Sequence, residues 1–75
     1  MSRYEFESQL RDLLRRDPFE PFVILVNNGR SIFVDEPAVA FGGGRAGFIG
    51  ADEIVEFFDC DSVLGFRPGN QEAAR

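Results

Sequence analysis

Phe22-Val23-Ile24-Leu25-Val26-Asn27-Asn28-Gly29-Arg30-Ser31-Ile32-Phe33-Val34-Asp35 is the stretch on which the fold turns. An apolar run rich in β-branched residues meets a shorter alternating run across residues that tolerate left-handed backbone, the signature of a β-hairpin. Two registers are open. Asn28-Gly29 as a two-residue type I′ turn sets Leu25 against Ile32 and Val23 against Val34. Asn27-Asn28-Gly29 as a three-residue turn carries a G1 bulge and shifts the pairing by one. Such a slip turns every side chain to the other face. The bulged register groups Phe22, Ile24 and Val26 with Ile32 and Val34, which gathers the apolar residues better. In either register the opposite face keeps Val23 and Leu25, so both sides of the first strand call for burial. With Phe33 beside them in the bulged register, Val23 and Leu25 form a candidate self-association face, because an uncovered apolar sheet surface is sticky. Its cover is either the helix upstream or another subunit.

Upstream, Ser2 to Arg16 reads as a helix, with Phe6, Leu10, Leu13 and Leu14 on one face. Ser2 with Glu5 three residues on fits a capping box, and Arg11, Arg15 and Arg16 suit the negative end of the dipole. Glu7 with Arg11, and Asp12 with Arg16, stand at ion-pairing spacing. Asp17-Pro18 stops the helix, and Pro18-Phe19-Glu20-Pro21 is a short rigid connector.

Downstream, Glu36-Pro37 breaks the second strand. Ala38 to Phe41 and Arg45 to Ile49 flank a turn at Gly42-Gly43-Gly44, and Ala51-Asp52-Glu53 is a polar turn. Ile54 to Phe58 and Val63 to Phe66 read as a last hairpin around Asp59-Cys60-Asp61-Ser62. The expected fold is α+β, one domain over residues 1–69 with a flexible tail at 70–75. Its N-terminal helix precedes a four- to five-stranded antiparallel meander, curled into a small SH3-like or Sm-like partly open barrel or a flatter sheet with the helix across one face.

The run Asp17-Pro18-Phe19-Glu20-Pro21-Phe22, the strand and Asn28-Gly29-Arg30 after it, the step Asp35-Glu36-Pro37 and the closing Asp61-Ser62-Val63-Leu64-Gly65-Phe66 resemble a group of short uncharacterised bacterial proteins, common in planctomycetes and other GC-rich bacteria. Those proteins open on a short helix and Pro-Phe-x-Pro-Phe before a Gly-turn hairpin. The resemblance implies a helix followed by a meander and carries no activity with it.

Chemistry is sparse. The chain has 75 residues, net charge −5, one Cys and no His, which leaves neither an intramolecular disulfide nor a Cys/His zinc site. All eight basic residues are Arg. An acidic balance argues against general binding of a phosphate backbone. The first residues alternate charge with aromatics and form no signal peptide, and no stretch is long and apolar enough for a membrane span, so the expected location is cytoplasmic. The glycine run with Arg45 offers an anion nest but matches no nucleotide motif, and reads as a hairpin turn. Asp52, Glu53, Glu56, Asp59 and Asp61 lack the spacing of a calcium loop and read as a solvated edge; a glycosidase pair among them would need an apolar cleft. Cys60 is expected in an exposed loop among acids, with no base to activate it. Phe19, Phe22, Phe33, Phe41, Phe48, Phe57, Phe58 and Phe66 are expected in the core.

No catalytic set, metal site or cofactor motif emerges. The function expected is a non-enzymatic interaction or assembly module, its partner another copy of itself or another protein. The alternative is an SH3-like or Sm-like nucleic-acid contact through Arg15, Arg16 and Arg30. A core this small rarely supplies more than roughly 3 to 5 kcal/mol without a staple, which favours association.

Overall fold

In the computed structural model, which describes residues 1–50 and 52–69, Ser2 caps α1 (Arg3–Leu14). Its Oγ accepts from the Glu5 N–H at 3.1 Å while the Glu5 carboxylate accepts from the Ser2 N–H, the reciprocal pair of a capping box. At the other end the Arg15 N–H donates to the Arg11 carbonyl. Phe6 and Leu10, one turn apart and therefore on one face, are fully buried.

Six strands follow: β1 (Phe22–Val26), β2 (Ser31–Val34), β3 (Val39–Gly42), β4 (Arg45–Ile49), β5 (Val55–Asp59) and β6 (Val63–Pro68). They form two three-stranded antiparallel sheets, in the orders β2-β1-β6 and β3-β4-β5. The α+β class stands, but the four- to five-stranded continuous meander does not. Neighbours β2 and β3 do not pair, and β5 and β6 do not form the expected last hairpin; β6 runs back beside β1, with Phe22 opposite Pro68. Two tight corners explain the difference. At the first, the Ala38 N–H donates to the Glu36 carbonyl at 2.8 Å, a three-residue turn around Pro37, which has no N–H to offer a neighbouring strand. At the second, the Ser62 N–H donates to Asp59 Oδ1 at 2.9 Å and the Asp59 N–H donates to Ser62 Oγ at 3.3 Å, swinging the chain from one sheet to the other.

The central hairpin takes the bulged register: Phe22 faces Val34, Val23 faces Phe33 and Ile24 faces Ile32. Its turn nevertheless has the dihedral signature of the two-residue alternative, since Asn28 (φ 67°) and Gly29 (φ 74°) are both left-handed. Asn27 reconciles the two as the extra residue. The Val26 N–H donates to the Arg30 carbonyl, whereas the Asn27 N–H points the other way, to the Ser62 carbonyl, each at 2.9 Å. On the β6 side Leu25 faces Gly65 and Val26 faces Val63, which leaves Leu64 as a second bulge.

The core lies between the layers. Phe22, Ile24, Val26, Ile32, Val34 and Val63 from one sheet meet Ala46, Phe48 and Phe58 from the other, with Phe6 and Leu10 of α1. Fully burying an aliphatic or aromatic side chain of this kind contributes about 1.5 to 3 kcal/mol. Phe6 joins both sheets, its ring 6.0 Å from Phe58 and 6.4 Å from Phe66. Of the aromatics expected inside, Phe57 is 75% exposed and Phe33 52% exposed. Strand alternation explains Phe57: Phe58 points inward, so its neighbour must point out. Ala51 of the expected polar turn and the expected tail at 70–75 lie outside the described residues. No described helix is long and apolar enough to cross a membrane.

Candidate functional site

The outer surface of β2-β1-β6 carries Val23, Leu25 and Phe33, and α1 does not cover it. The buried residues of the helix pack on the inner face, against the side that bears Phe22 and Phe66. Val23 is 3% exposed yet stands outside the core cluster. Its cover comes from its own sheet. Phe33 sits opposite it, and the Phe33 ring reaches past β1 so closely to Gly69 that a Cβ there would lie 2.9 Å from Cε1. Solvent therefore meets half-buried Leu25, half-exposed Phe33 and, at the bulge, Leu64 at 70% exposure.

The expected arginine patch is partly dispersed. Arg16 pairs with Glu20 at 2.9 Å instead of with Asp12, the guanidinium of Arg11 lies over the Phe41 ring at 5.9 Å, and Glu7 turns to the Gly44 N–H at 2.8 Å instead of to Arg11. For Glu7 and Arg11, packing to β3 and its turn thus replaces the pairing suggested by helical spacing. Arg15 and Arg30 are exposed and in no ion pair among the described residues.

The glycine run forms a tight β3–β4 turn at Gly43 (φ 62°) and Gly44 (φ 80°). The N–H of Gly44 that a bound anion would use is already taken by the Glu7 carboxylate. Cys60 is not the exposed loop thiol expected. It is half-buried against the core because its turn folds onto Gly44, to whose carbonyl its N–H donates at 2.9 Å. The carboxylates serve turns: Asp52 Oδ1 accepts from the Ile54 N–H, and Asp59 Oδ1 from the Ser62 N–H. Among the described residues no acidic or cysteine group of three could hold a metal ion. A shallow depression at this end of the sheet is lined by Arg45, Phe57, Asp59 and Ser62, and by neither Glu53 nor Glu56.

A second surface escaped the sequence. On the outer side of β3-β4-β5, Phe57 lies across Gly47, where a Cβ would stand 3.4 Å from the ring, and Val55 sits opposite Ile49. Ile49 is 51% exposed and Ile54, at the start of the strand, 58%. The available signal was the pair Phe57-Phe58, since adjacent residues of a strand cannot share a face.

Against known protein families, curated proteins and solved structures, the chain finds no match.

Proposed function

We propose that this protein is a small non-enzymatic interaction module that associates with further copies of itself through the outer face of β2-β1-β6. The observation that carries this proposal is the placement of α1. Among the described residues the helix is the element that could have covered that face, and its buried side chains pack on the opposite side. Among those residues too, Leu25, Phe33 and Leu64 stay open to solvent and so to another chain, and the small core gives association a stabilising role. A small partly open barrel in the SH3-like or Sm-like manner is the architecture we favour; its support is the return of β6 to the side of β1, the connection that such a barrel needs. The nucleic-acid alternative ranks behind, since Arg16 is engaged by Glu20 and the chain carries net charge −5.

Sedimentation equilibrium over a concentration series tests the proposal. The expected result is a concentration-dependent oligomer that the double substitution Phe33→Ser, Leu64→Ser converts to monomer with an unchanged circular dichroism spectrum. A strict monomer at about 1 mM, where an association of only roughly −4 kcal/mol would register, overturns it.

A further inference from the structure

We infer that the open edge of β5 binds an extended, apolar-centred cationic protein segment, which adds to β3-β4-β5 as a fourth strand. This site lies on the other sheet and does not depend on self-association.

The backbone comes first. β5 is the last strand of its sheet, so only one of its edges is paired. The Cys60 N–H donates to the Gly44 carbonyl and the Gly50 N–H to the Ile54 carbonyl, which fixes the phase of the ladder. In antiparallel pairing, hydrogen-bonded and non-bonded pairs alternate. Glu56 and Phe58 therefore bond toward β4, while Val55, Phe57 and Asp59 direct N–H and C=O to the open side. Ser62 occupies the groups of Asp59, accepting from its N–H and donating through Oγ to its carbonyl at 3.1 Å. Val55 and Phe57 keep theirs: among the described residues neither pairs beyond β4. Together they offer an incoming strand two donors and two acceptors.

The side chains of the same two residues are apolar and exposed, Phe57 at 75% and Val55 at 41%, with Ile49 beyond them on β4. An added strand would cover Phe57 on the flank that Gly47 does not support.

Charge selects the occupant. From Asp52 to Asp61 the chain carries Asp52, Glu53, Glu56, Asp59 and Asp61 and no basic residue. None of these carboxylates is in an ion pair among the described residues. A second copy fits poorly: antiparallel pairing of two β5 edges about Phe57 sets the two Glu56 side chains diagonally on one face, and like charges at such range destabilise a sheet. Acidic residues along an edge are a recognised guard against self-pairing. A segment alternating apolar with basic residues meets both demands. Its apolar side chain lies beside Phe57 on the outer face, its basic neighbours fall on the side of Glu56, and its ends reach the acidic turns.

The test titrates the full chain into a fluorescently labelled, end-blocked peptide of alternating Lys and Val, read by anisotropy. Binding is expected at about 50 mM salt and should weaken several-fold by about 500 mM as the charges are screened. Phe57→Ser and, independently, Glu56→Lys should each weaken it about tenfold, a loss of roughly 1.4 kcal/mol, with circular dichroism reporting that both variants fold. A peptide of the same charge with Pro at two central positions should not bind, because it lacks the N–H groups of a paired strand. Phe33→Ser, Leu64→Ser should bind as the unaltered chain does, which separates this site from the self-association face. No binding at low salt, equal binding of the Pro peptide, or a Phe57→Ser chain that loses self-association while binding the peptide unchanged would each overturn the inference.

Discussion

The two sheets have equal strand counts and opposite economies of apolar surface. In β2-β1-β6 the central strand buries Phe22, Ile24 and Val26 on its inner face and Val23 on its outer face, and leaves only Leu25 half-buried. In β3-β4-β5 the central strand buries only Ala46 and Phe48, and its outer side presents Arg45, Gly47 and Ile49. The first sheet supplies most of the core, while the second completes the core with three side chains and keeps large apolar groups for solvent. Their turns differ in the reverse sense. Asn28-Gly29 stands free, with open space where a Gly29 Cβ would be, whereas Gly44 is buried beneath Arg3 and Cys60 and held by Glu7. A sheet with little core of its own is thus fastened through its turn.

That contrast can be broken most sharply at the central strands. Ile24→Ala should cost about 3 kcal/mol, within the span for deleting a fully buried aliphatic side chain. Ile49→Ala, on the outer side of β4, should fall within about 0.5 kcal/mol of the unaltered protein. Urea unfolding of both variants reads the difference, and equal losses would undo the distinction. At the turns, Gly29→Ala should cost about 1 kcal/mol for its left-handed backbone. Gly44→Ala should cost about 2 kcal/mol, since its Cβ would also press on Arg3 Cδ at 3.1 Å and Cys60 Sγ at 3.3 Å. Glu7→Ala should cost about 1 kcal/mol by removing a charge-assisted hydrogen bond, with faster hydrogen exchange of the Gly44 amide as its local sign. Least of all, Arg16→Ala should change stability by under about 0.5 kcal/mol, because both partners of its ion pair are more than half exposed.

Local structure was legible where neighbours in sequence decide it. Ser2 and Glu5 mark the start of α1, Asn28-Gly29 and Gly43-Gly44 mark the turns, and the apolar count on each face selects the bulged register. Partnership between strands was not legible, because it depends on corners that turn the chain between layers. Pro37 announces a break without saying that β3 leaves the sheet, and Asp59-Cys60-Asp61-Ser62 has the composition of a hairpin loop while acting as a corner. The candidate face showed the same limit. Val23, Leu25 and Phe33 could be placed together, but not the close approach of the Phe33 ring to Gly69, far along the chain, nor the place of Arg67 on the other side of Val23. The surface at Phe57 is not legible from hydropathy alone, because an apolar residue in a strand is exposed when its buried neighbour, here Phe58, takes the inner face.

The return of β6 to β1 also sets an order of events in time. Phe22 waits for Pro68, and the Asn27 amide waits for Ser62, so the central strand of the main sheet finds its second partner only after every other strand has been made. Closing so long a loop costs chain entropy, so this pairing is expected to slow folding relative to the local hairpins. During synthesis the hairpin around Asn28 emerges with one long edge bare, a transient template for misassembly that the last strand extinguishes when it docks.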